Sequence, residues 1–401
     1  MNSNIDLKYI SDAYEVDCPT FEDLTKEVAA MEDNSRWIPG IVTNDIQVSA
    51  IDGPIAAEAL AQTTGMDVEV LKDTATDGTS LYLNVGNKNW ALRGSGKGTL
   101  FSRAGISGSA LGRLSPADLA EVLNLCLNVS KGSALMLERY GKLSAVHSDA
   151  SDGYRVMPIS ELLNITNREL RARFGDPEFV SGTNSHSYTC CVWMLPDVKE
   201  ELQLKYATAL EKKIGPHREI DVMPCLRFSS SDTASCSAIA QPLFRASKSG
   251  GYLQLAEGVQ VKHSRKASGM DGIEQYQKEV QENLYTKFFD SIEQVGRLGK
   301  VEIWHPENAI IGICNDCRIS KKYGDIAREE AVRVSIGEEC LSAYDVFLCL
   351  AEMLGQAETN GASKLTQETL AEKVYKTMNP KFDWSKFDVG GTVAWSGVSN
   401  D

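Results

Sequence analysis

The sequence contains no long apolar run. No stretch of its 401 residues approaches the roughly 18 consecutive apolar residues that a membrane-spanning helix needs. The opening segment, MNSNIDLKYISDAYE, has neither a basic start nor an apolar core, so it does not resemble a secretory signal. These absences predict a cytoplasmic protein that does not associate with membranes.

Recognisable catalytic motifs are also absent. The sequence has no HExxH motif, no GxSxG motif and no paired carboxylates at catalytic spacing, and its 5 histidines are isolated from one another. His147, Ser148 and Asp149 are adjacent in the chain, and adjacent residues cannot converge as a nucleophile, a base and an orienting carboxylate must. We therefore interpret HSDASDGY as a turn, and we expect no catalytic residues, no cofactor and no metal.

The 10 cysteines are scattered, mostly inside apolar segments, where a free cysteine behaves as a small hydrophobic residue. This usage fits a reducing compartment better than a secreted protein. Cys314 and Cys317 have the spacing of half a zinc site or of a redox pair, but the sequence offers no second such pair and no histidine pair. We expect both to be buried thiols.

The run GSGKGT resembles a phosphate-binding loop. Such a loop requires glycine where Ala91 stands and a magnesium-binding hydroxyl where Gly98 stands. A variant like that of adenylate kinases tolerates Gly98 followed by Thr99, but it too requires glycine at the position of Ala91. The preceding segment, NVGNKNWAL, is also broken by polar residues and glycine. We interpret the run as a turn that leads into a helix, with Lys97 and Thr99 on the surface.

The net charge of −14 is unevenly distributed. Residues 1–80 contain 16 acidic and 4 basic residues, a net charge of −12, whereas the remaining 321 residues contain 39 and 37, a net charge of −2. Two parts of this nearly neutral body are locally basic: residues 241–268, which follow a cluster of hydroxyl residues, and the run RISKK. Hydroxyl and cationic side chains are typical phosphate contacts. The predicted nucleic-acid-binding residues are Arg227, Arg245, Lys248, Lys262, His263, Arg265, Lys266, Lys321 and Lys322. The alternative is that they are solvated charges of a polar β-meander and its loops.

Local patterns predict an α+β fold. Thr20 and Ser115 are expected to cap helices, and SALMLERYGKLSAVHSD is expected to form a β-hairpin. DVEVL, SLYLNV and NWALR alternate like short strands, and the longest apolar helical repeat covers 272–296. These elements predict a mixed or mainly antiparallel sheet flanked by helices, with a helical C-terminal third.

We place domain boundaries near residues 90 and 268. The first, where alternation gives way to a helix, separates an acidic region of helices and strands, 1–90, from a central α+β domain, 91–268. The second, at KASGMDG, separates that domain from a mainly helical region, 269–401, whose aromatic tail is expected to dock in an extended conformation.

Several stretches resemble a known family. WALRGSGKGTLFSRAGISGSALGRLSPADLAEVLNLCLNV is similar to the central motif of the phage- and plasmid-borne proteins grouped as domain of unknown function 932. SALMLERYGKLSAVHSDASDGYRVMPISELL and RFSSSDTASCSAIAQPLF resemble later motifs of that family, so the resemblance covers roughly residues 85–355 as short, spaced motifs. It implies a mobile-element context and a role in DNA metabolism, and it assigns no catalytic residue. It also implies that GSGKGT lies at the entry to a helix.

Two hypotheses follow, of different classes. The first is a non-enzymatic protein that binds nucleic acid, for example single-stranded DNA, in mobile-element DNA metabolism, in the host cytoplasm if a phage encodes it. The second is a protein-interaction or anti-defence factor that contacts a basic host or phage protein through the acidic N-terminal region. An enzyme that uses residues 91–99 is a third alternative. An oligomer is compatible with each.

Overall fold

A computed structural model describes residues 7–210, 221–246, 251–265, 271–362 and 364–396. The described residues form helices together with antiparallel and mixed sheets, so the predicted α+β fold is confirmed. No helix among them is both long enough and apolar enough to cross a membrane.

The first half of the chain alternates between strands and helices. Its elements are β1 (Glu15–Cys18), α1 (Phe21–Asp33), β2 (Ser35–Val42), β3 (Gln47–Ala50), α2 (Gly53–Thr64), α3 (Val68–Thr76), β4 (Leu81–Val85), β5 (Lys88–Leu92), α4 (Gly94–Ala104), α5 (Pro116–Val129), β6 (Ser133–Arg139) and β7 (Lys142–Ser148).

The second half begins with mixed elements and ends in helices. Its elements are α6 (Ile159–Phe174), β8 (Glu178–Ser185), β9 (Thr189–Met194), α7 (Lys199–Leu210), β10 (Val222–Ser230), β11 (Ala238–Ala246), β12 (Tyr252–Leu253), β13 (Val259–Val261), α8 (Gly272–Leu298), β14 (Glu302–Ile303), α9 (Pro306–Asp316), α10 (Lys321–Val334), β15 (Leu341–Ser342), α11 (Ala343–Thr359) and α12 (Lys364–Tyr375).

Two large sheets organise these elements. The first has the order β2-β6-β7-β5-β4-β3, in which β5 and β7 are parallel and the other neighbours are antiparallel. The second has the order β1-β8-β9-β10-β11-β12, with β13 also paired to β11, and is antiparallel throughout. The N-terminal segment contributes to both, because β1 pairs with β8 whereas β2 and β3 belong to the first sheet.

Each sheet has its own hydrophobic core. Leu83, Leu92, Leu123 and Met136 are among the residues that pack together between the first sheet and helices α4 and α5. The second core is larger and extends from the second sheet through α6, α7 and α8 into the C-terminal helices. The apolar stripe predicted on the longest helix lies in that core; its buried residues include Tyr276, Val280, Leu284, Phe288, Ile292 and Val295.

Several local predictions are confirmed. The side chains of Thr20 and Ser115 accept hydrogen bonds from the backbone N–H groups of Asp23 and Asp118, so both residues cap their helices as expected. β6 and β7 form the predicted hairpin, which turns at Tyr140 and Gly141.

Two local predictions are wrong. DVEVL is not a strand: Asp67 accepts hydrogen bonds from the backbone of Glu69 and Val70 and caps α3, whose buried face includes Leu71 and Thr74. A short segment in which apolar and acidic residues alternate is compatible with a strand or a helix. The N-cap at Asp67 favours the helix. The run GSGKGT is not a turn before a helix but the first part of α4 itself.

The predicted boundary near residue 90 falls inside β5. That strand pairs with β4 on one side and with β7 on the other, so residues before and after the boundary belong to one sheet. The boundary near residue 268 lies outside the described residues. Residues on both sides of it contribute to the second core, because β10, β11 and α8 pack together.

Candidate functional site

The glycine-rich run at the start of α4 is held against β7 rather than open to a ligand. A Cβ atom at Gly96 would lie 2.8 Å from the carbonyl oxygen of Leu143, so this glycine permits close packing of the helix on the sheet. Thr99 is buried and its hydroxyl accepts a hydrogen bond from Val146 N at 2.8 Å, which corrects the expectation that Thr99 is a surface residue. Lys97 is half-buried.

The helix N-terminus beside this run already has an anionic partner. The carboxylate of Asp12 accepts a hydrogen bond from Gly94 N at 2.7 Å and forms an ion pair with Arg93 at 3.2 Å. A bound phosphate would use the same N–H group and the same positive end of the helix. A carboxylate from the chain itself therefore takes the position that a nucleotide phosphate would need.

Part of the acidic N-terminal region lies inside the fold. Lys142 is fully buried and pairs with Asp12 at 2.9 Å and with Asp73. Arg93 is equally enclosed and donates hydrogen bonds to the carbonyl groups of Ile10 and Ser11. Burial lowers the pKa of Arg93 to about 10, although the attraction of Asp12 opposes this shift. These acidic residues therefore neutralise buried cations and fix the N-terminal segment to the first sheet.

A second set of polar residues joins the two sheets. We call Arg139, His147, Tyr154, Asp232 and His263 the polar junction. Arg139 ends β6 and pairs with Asp232, which follows β10, at 2.5 Å, and the two side chains are only 3% and 6% exposed. His147 Nε2 lies 2.7 Å from the carbonyl oxygen of Asp232, so β7 contacts the same turn.

Aromatic rings continue the polar junction. His147 and Tyr154 stack with ring centroids 3.7 Å apart, and the hydroxyl of Tyr154 lies 3.0 Å from Nδ1 of His263. The other ring nitrogen of His263 lies 3.3 Å from the hydroxyl of Ser230. Residues 230, 263 and 154 thus form a hydrogen-bonded series, but Ser230 is fully buried, so a substrate has no access to its hydroxyl. These hydrogen bonds therefore connect the loop after β7 to the second sheet.

Burial keeps both imidazoles of the polar junction neutral near pH 7. It lowers the pKa of His147 to about 4, against the opposing hydrogen bond to the backbone of Asp232, and it also lowers the pKa of His263. Burial raises the pKa of Tyr154 well above its ordinary value. Because His263 is uncharged, it does not contribute the positive charge that the sequence suggested for it.

The other basic residues predicted between 227 and 268 do not form one free surface. Arg227 donates a hydrogen bond to Gln254 at 3.1 Å, and Arg245 lies over the ring of Tyr252. Arg265 pairs with Asp149 at 2.9 Å, whereas Lys262 is exposed. Lys248 and Lys266 lie outside the described residues.

The hydroxyl cluster of the same region is also largely internal. Ser229, Ser230, Ser231 and Thr233 are all buried. Ser231 and Thr233 donate hydrogen bonds to the carbonyl oxygen of Ser187, in the turn between β8 and β9. These hydroxyls therefore stabilise the turn that carries Asp232, and they do not face solvent as phosphate ligands would.

An acidic cavity lies close to Arg227. It has a volume of about 650 Å³, lies between β11 and α8, and includes Gln254, the hydrogen-bond partner of Arg227. Its charged lining residues are Glu257, Glu279, Lys287, Asp290 and Glu372. Four carboxylates and one ammonium group make this neighbourhood unfavourable for a phosphate.

The RISKK run lies in a different environment, next to the end of α12. The ammonium group of Lys373 donates a hydrogen bond to the carbonyl oxygen of Arg318 at 2.9 Å, and Lys376 lies one turn further along the chain. Arg318, Lys321, Lys322 and Lys376 are exposed, and Lys373 is half-buried. We call these five residues the α9–α12 basic surface.

Charge compensation on the α9–α12 basic surface is partial. Lys321 pairs with Asp325. Arg318, Lys322, Lys373 and Lys376 form no ion pair within the described part of the chain. Lys321 and Lys322 stand out in the sequence as part of a basic run, but Lys373 and Lys376 do not. Lys373 is 55 residues from Arg318 in the chain, Lys376 follows the end of α12, and neither belongs to a basic pattern.

Cys314 and Cys317 are buried thiols, as expected. Burial raises the pKa of Cys314 to about 12 and also raises the pKa of Cys317, so neither thiol forms a thiolate readily. Within the described ranges, no group of three or more histidine, cysteine, aspartate or glutamate side chains is arranged to hold a metal ion.

Comparisons with known proteins found no match: no protein-family model, no curated protein and no solved structure is similar to the chain. The resemblance to domain of unknown function 932 therefore stays a prediction.

Proposed function

We propose that the protein binds single-stranded nucleic acid through the α9–α12 basic surface. The observation that carries this proposal is the contact between Lys373 and Arg318, which brings cationic residues from two distant segments together. Arg318, Lys322 and Lys376 are exposed, so their charges can approach a phosphate without losing a buried partner.

Aromatic rings beside these cations support a single-stranded ligand. The ammonium group of Lys322 lies 5.6 Å from the ring centroid of Tyr323, and that of Lys321 lies 5.5 Å from the ring centroid of Trp395. Both rings are partly exposed. Proteins that bind single strands without sequence preference combine a cationic track for the backbone with aromatic rings on which bases stack. The α9–α12 basic surface offers both.

The proposed nucleic-acid site lies outside residues 227–268, the region that the sequence suggested. There, Arg265 is paired, His263 is neutral and half-buried, and an acidic cavity adjoins Gln254. The mobile-element role implied by the family resemblance gives the proposal its biological context, DNA metabolism in the host cytoplasm.

A salt series tests the proposal. Fluorescence anisotropy of labelled single-stranded DNA is measured with the full chain and with the triple variant Lys322→Gln/Lys373→Gln/Lys376→Gln. Each phosphate contact contributes about −0.7 to the slope of log K against log salt on a single strand, so the variant is expected to flatten the slope by about 2. It should weaken binding to all sequences alike.

Three exposed lysines from elsewhere provide a matched control. Lys88→Gln/Lys131→Gln/Lys278→Gln changes the net charge equally and should leave the slope unchanged. Equal losses in the two triple variants would show that only net charge matters and would refute the site. If the full chain does not bind at about 50 mM salt, the nucleic-acid function is refuted. The acidic-region hypothesis is then tested by capturing basic partner proteins.

A further inference from the structure

The C-terminal segment crosses helices α9 and α10 in a manner typical of a bound peptide. Phe387 is the last residue of this segment within the large core, and residues 388–396 then continue without helix or strand. Asp388 fixes the start of the segment, because its carboxylate accepts hydrogen bonds from the backbone N–H groups of Trp304 at 3.1 Å and His305 at 2.7 Å.

Two asparagines of α9 bind the backbone of this segment. The side-chain amide of Asn308 donates to the carbonyl groups of Val389 at 2.7 Å and Gly391 at 2.8 Å. Seven residues later, Asn315 donates to the carbonyl oxygen of Ala394 at 3.0 Å and accepts from Ser396 N at 2.9 Å. A spacing of seven puts both amides on one face of the helix. All but one of these contacts are with main-chain groups; the exception is the hydroxyl of Ser396, which donates to Asn315 Oδ1 at 2.9 Å, so the two amides mainly recognise an extended backbone.

A tryptophan anchors the segment in a slot on α10. The ring of Trp395 lies against Gly324, where a Cβ atom would lie 2.8 Å from ring atom Cζ3. No side chain larger than hydrogen fits between α10 and this ring. Backbone recognition by amides, with one aromatic side chain in a fitted slot, resembles the general way in which proteins bind extended peptides.

Trp395 is partly buried against the large core, whereas the residues before it border open space. A cavity of about 620 Å³ lies between the segment and the helices, and its lining includes Trp304, Arg328 and the segment's own residues 391–395. Gly390 and Gly391 precede the anchor, and Gly391 has a φ of 87°. Glycines at this point give the chain freedom to change direction after Val389 without steric cost.

We infer that the α9–α10 groove is a peptide-binding site and that it accepts the C-terminal segment of a second copy of this chain. The second copy carries the same residues 391–396, so the contacts of Gly391, Ala394, Trp395 and Ser396 form equally well between two molecules, while Asp388 and Val389 stay on their own chain. Exchange of an identical element is a low-cost route to association. Within one molecule the groove is occupied by a segment whose effective concentration is on the order of millimolar, which keeps an isolated chain closed. The inference does not rest on the proposed nucleic-acid function, although both involve Trp395.

A complementation experiment tests it with full-length chains. Gly324→Ala blocks the slot but keeps the segment, whereas Trp395→Ala keeps the slot but removes the anchor. Neither variant can form the complete contact with itself. In the wild type, a chain's own segment competes for the groove at an effective concentration on the order of millimolar. The mixed pair lacks this competition, so at about 0.1 mM of each variant we expect a complex in sedimentation velocity. Each variant alone should sediment as a monomer.

A peptide measurement distinguishes a failed fold from a failed site. A labelled peptide of residues 388–396 should bind the Trp395→Ala chain at least tenfold more tightly than the wild-type chain or the Gly324→Ala/Trp395→Ala double variant. Replacing the tryptophan of the peptide by alanine should abolish binding. If the mixture stays monomeric and the peptide does not discriminate between the chains, the groove accepts only its own segment and the inference is overturned.

Discussion

Removing the carboxylate of Asp232 should destabilise the protein strongly, because its partner cannot reach water. The guanidinium group of Arg139 is almost completely enclosed and donates three hydrogen bonds, to Asp232 at 2.5 Å, to Ser35 Oγ at 2.8 Å and to the carbonyl oxygen of His186 at 2.9 Å. Asp232→Ala leaves two neutral acceptors and no opposite charge around a buried cation. Losing one partner of a buried pair costs about 3–5 kcal/mol of unfolding free energy.

A double variant separates the pair from the rest of the polar junction. In Arg139→Met/Asp232→Ala both charges are gone, so most of that loss should be recovered, since apolar replacements of buried pairs are often neutral. The carbonyl oxygen of Asp232 that contacts His147 is main-chain and remains in both variants. Urea unfolding followed by tryptophan fluorescence gives the free energies by linear extrapolation.

Arg171→Ala provides the control, because the Arg171–Asp176 pair is exposed and its loss should cost at most about 1 kcal/mol. A loss of less than about 1 kcal/mol in Asp232→Ala, or a double variant as unstable as the sum of the single ones, would refute the reasoning.

Three further predictions concern acid, packing and nucleotides. Burial lowers the pKa of His147 to about 4 and that of His186 to about 2, so the unfolded chain binds protons that the folded protein does not. The free energy of unfolding should therefore fall as the pH drops from about 6.5 toward 4, by up to about 1.4 kcal/mol per pH unit for each imidazole; urea titrations that give the same value at pH 7 and pH 5 would contradict this. Gly96→Ala should cost about 1–3 kcal/mol because α4 lies against β7 there, whereas Gly98→Ala, which meets nothing within 4 Å, should be neutral or stabilising in thermal melts. ATP should not raise the melting temperature, since Asp12 occupies the N-terminus of α4; a rise that disappears in Lys97→Ala would restore the phosphate-loop interpretation.

Local signals in the sequence predicted much of the fold. Caps such as Ser115 and long stripes such as the one on α8 depend on neighbours along the chain, and these were confirmed. The segment DVEVL was wrongly predicted as a strand, because five residues are too few to distinguish the two-residue repeat of a strand from the 3.6-residue repeat of a helix. The N-cap at Asp67, which marks the helix start, is the first residue of the segment.

The site was predicted less well, because it depends on contacts between distant residues. The sequence marks Arg265 and His263 as cations. Asp149, which pairs with Arg265, and Tyr154 and Ser230, which form hydrogen bonds with His263, are more than 30 residues away in the chain. Lys373 gains its neighbours in the same way, through the packing of α12 beside the end of α9. Charge counted along a sequence therefore identified basic residues without showing which of them remain free.

Photo-crosslinking locates the nucleic-acid contact most directly. Labelled single-stranded DNA is irradiated with the full chain at low salt, and the linked peptides are identified by mass spectrometry. If the α9–α12 basic surface is the site, crosslinks should form at Tyr323 and Trp395, the rings beside Lys322 and Lys321, and should disappear in the triple lysine variant. Crosslinks found only in residues 227–265, or no crosslink at either Tyr323 or Trp395, would contradict the proposed site.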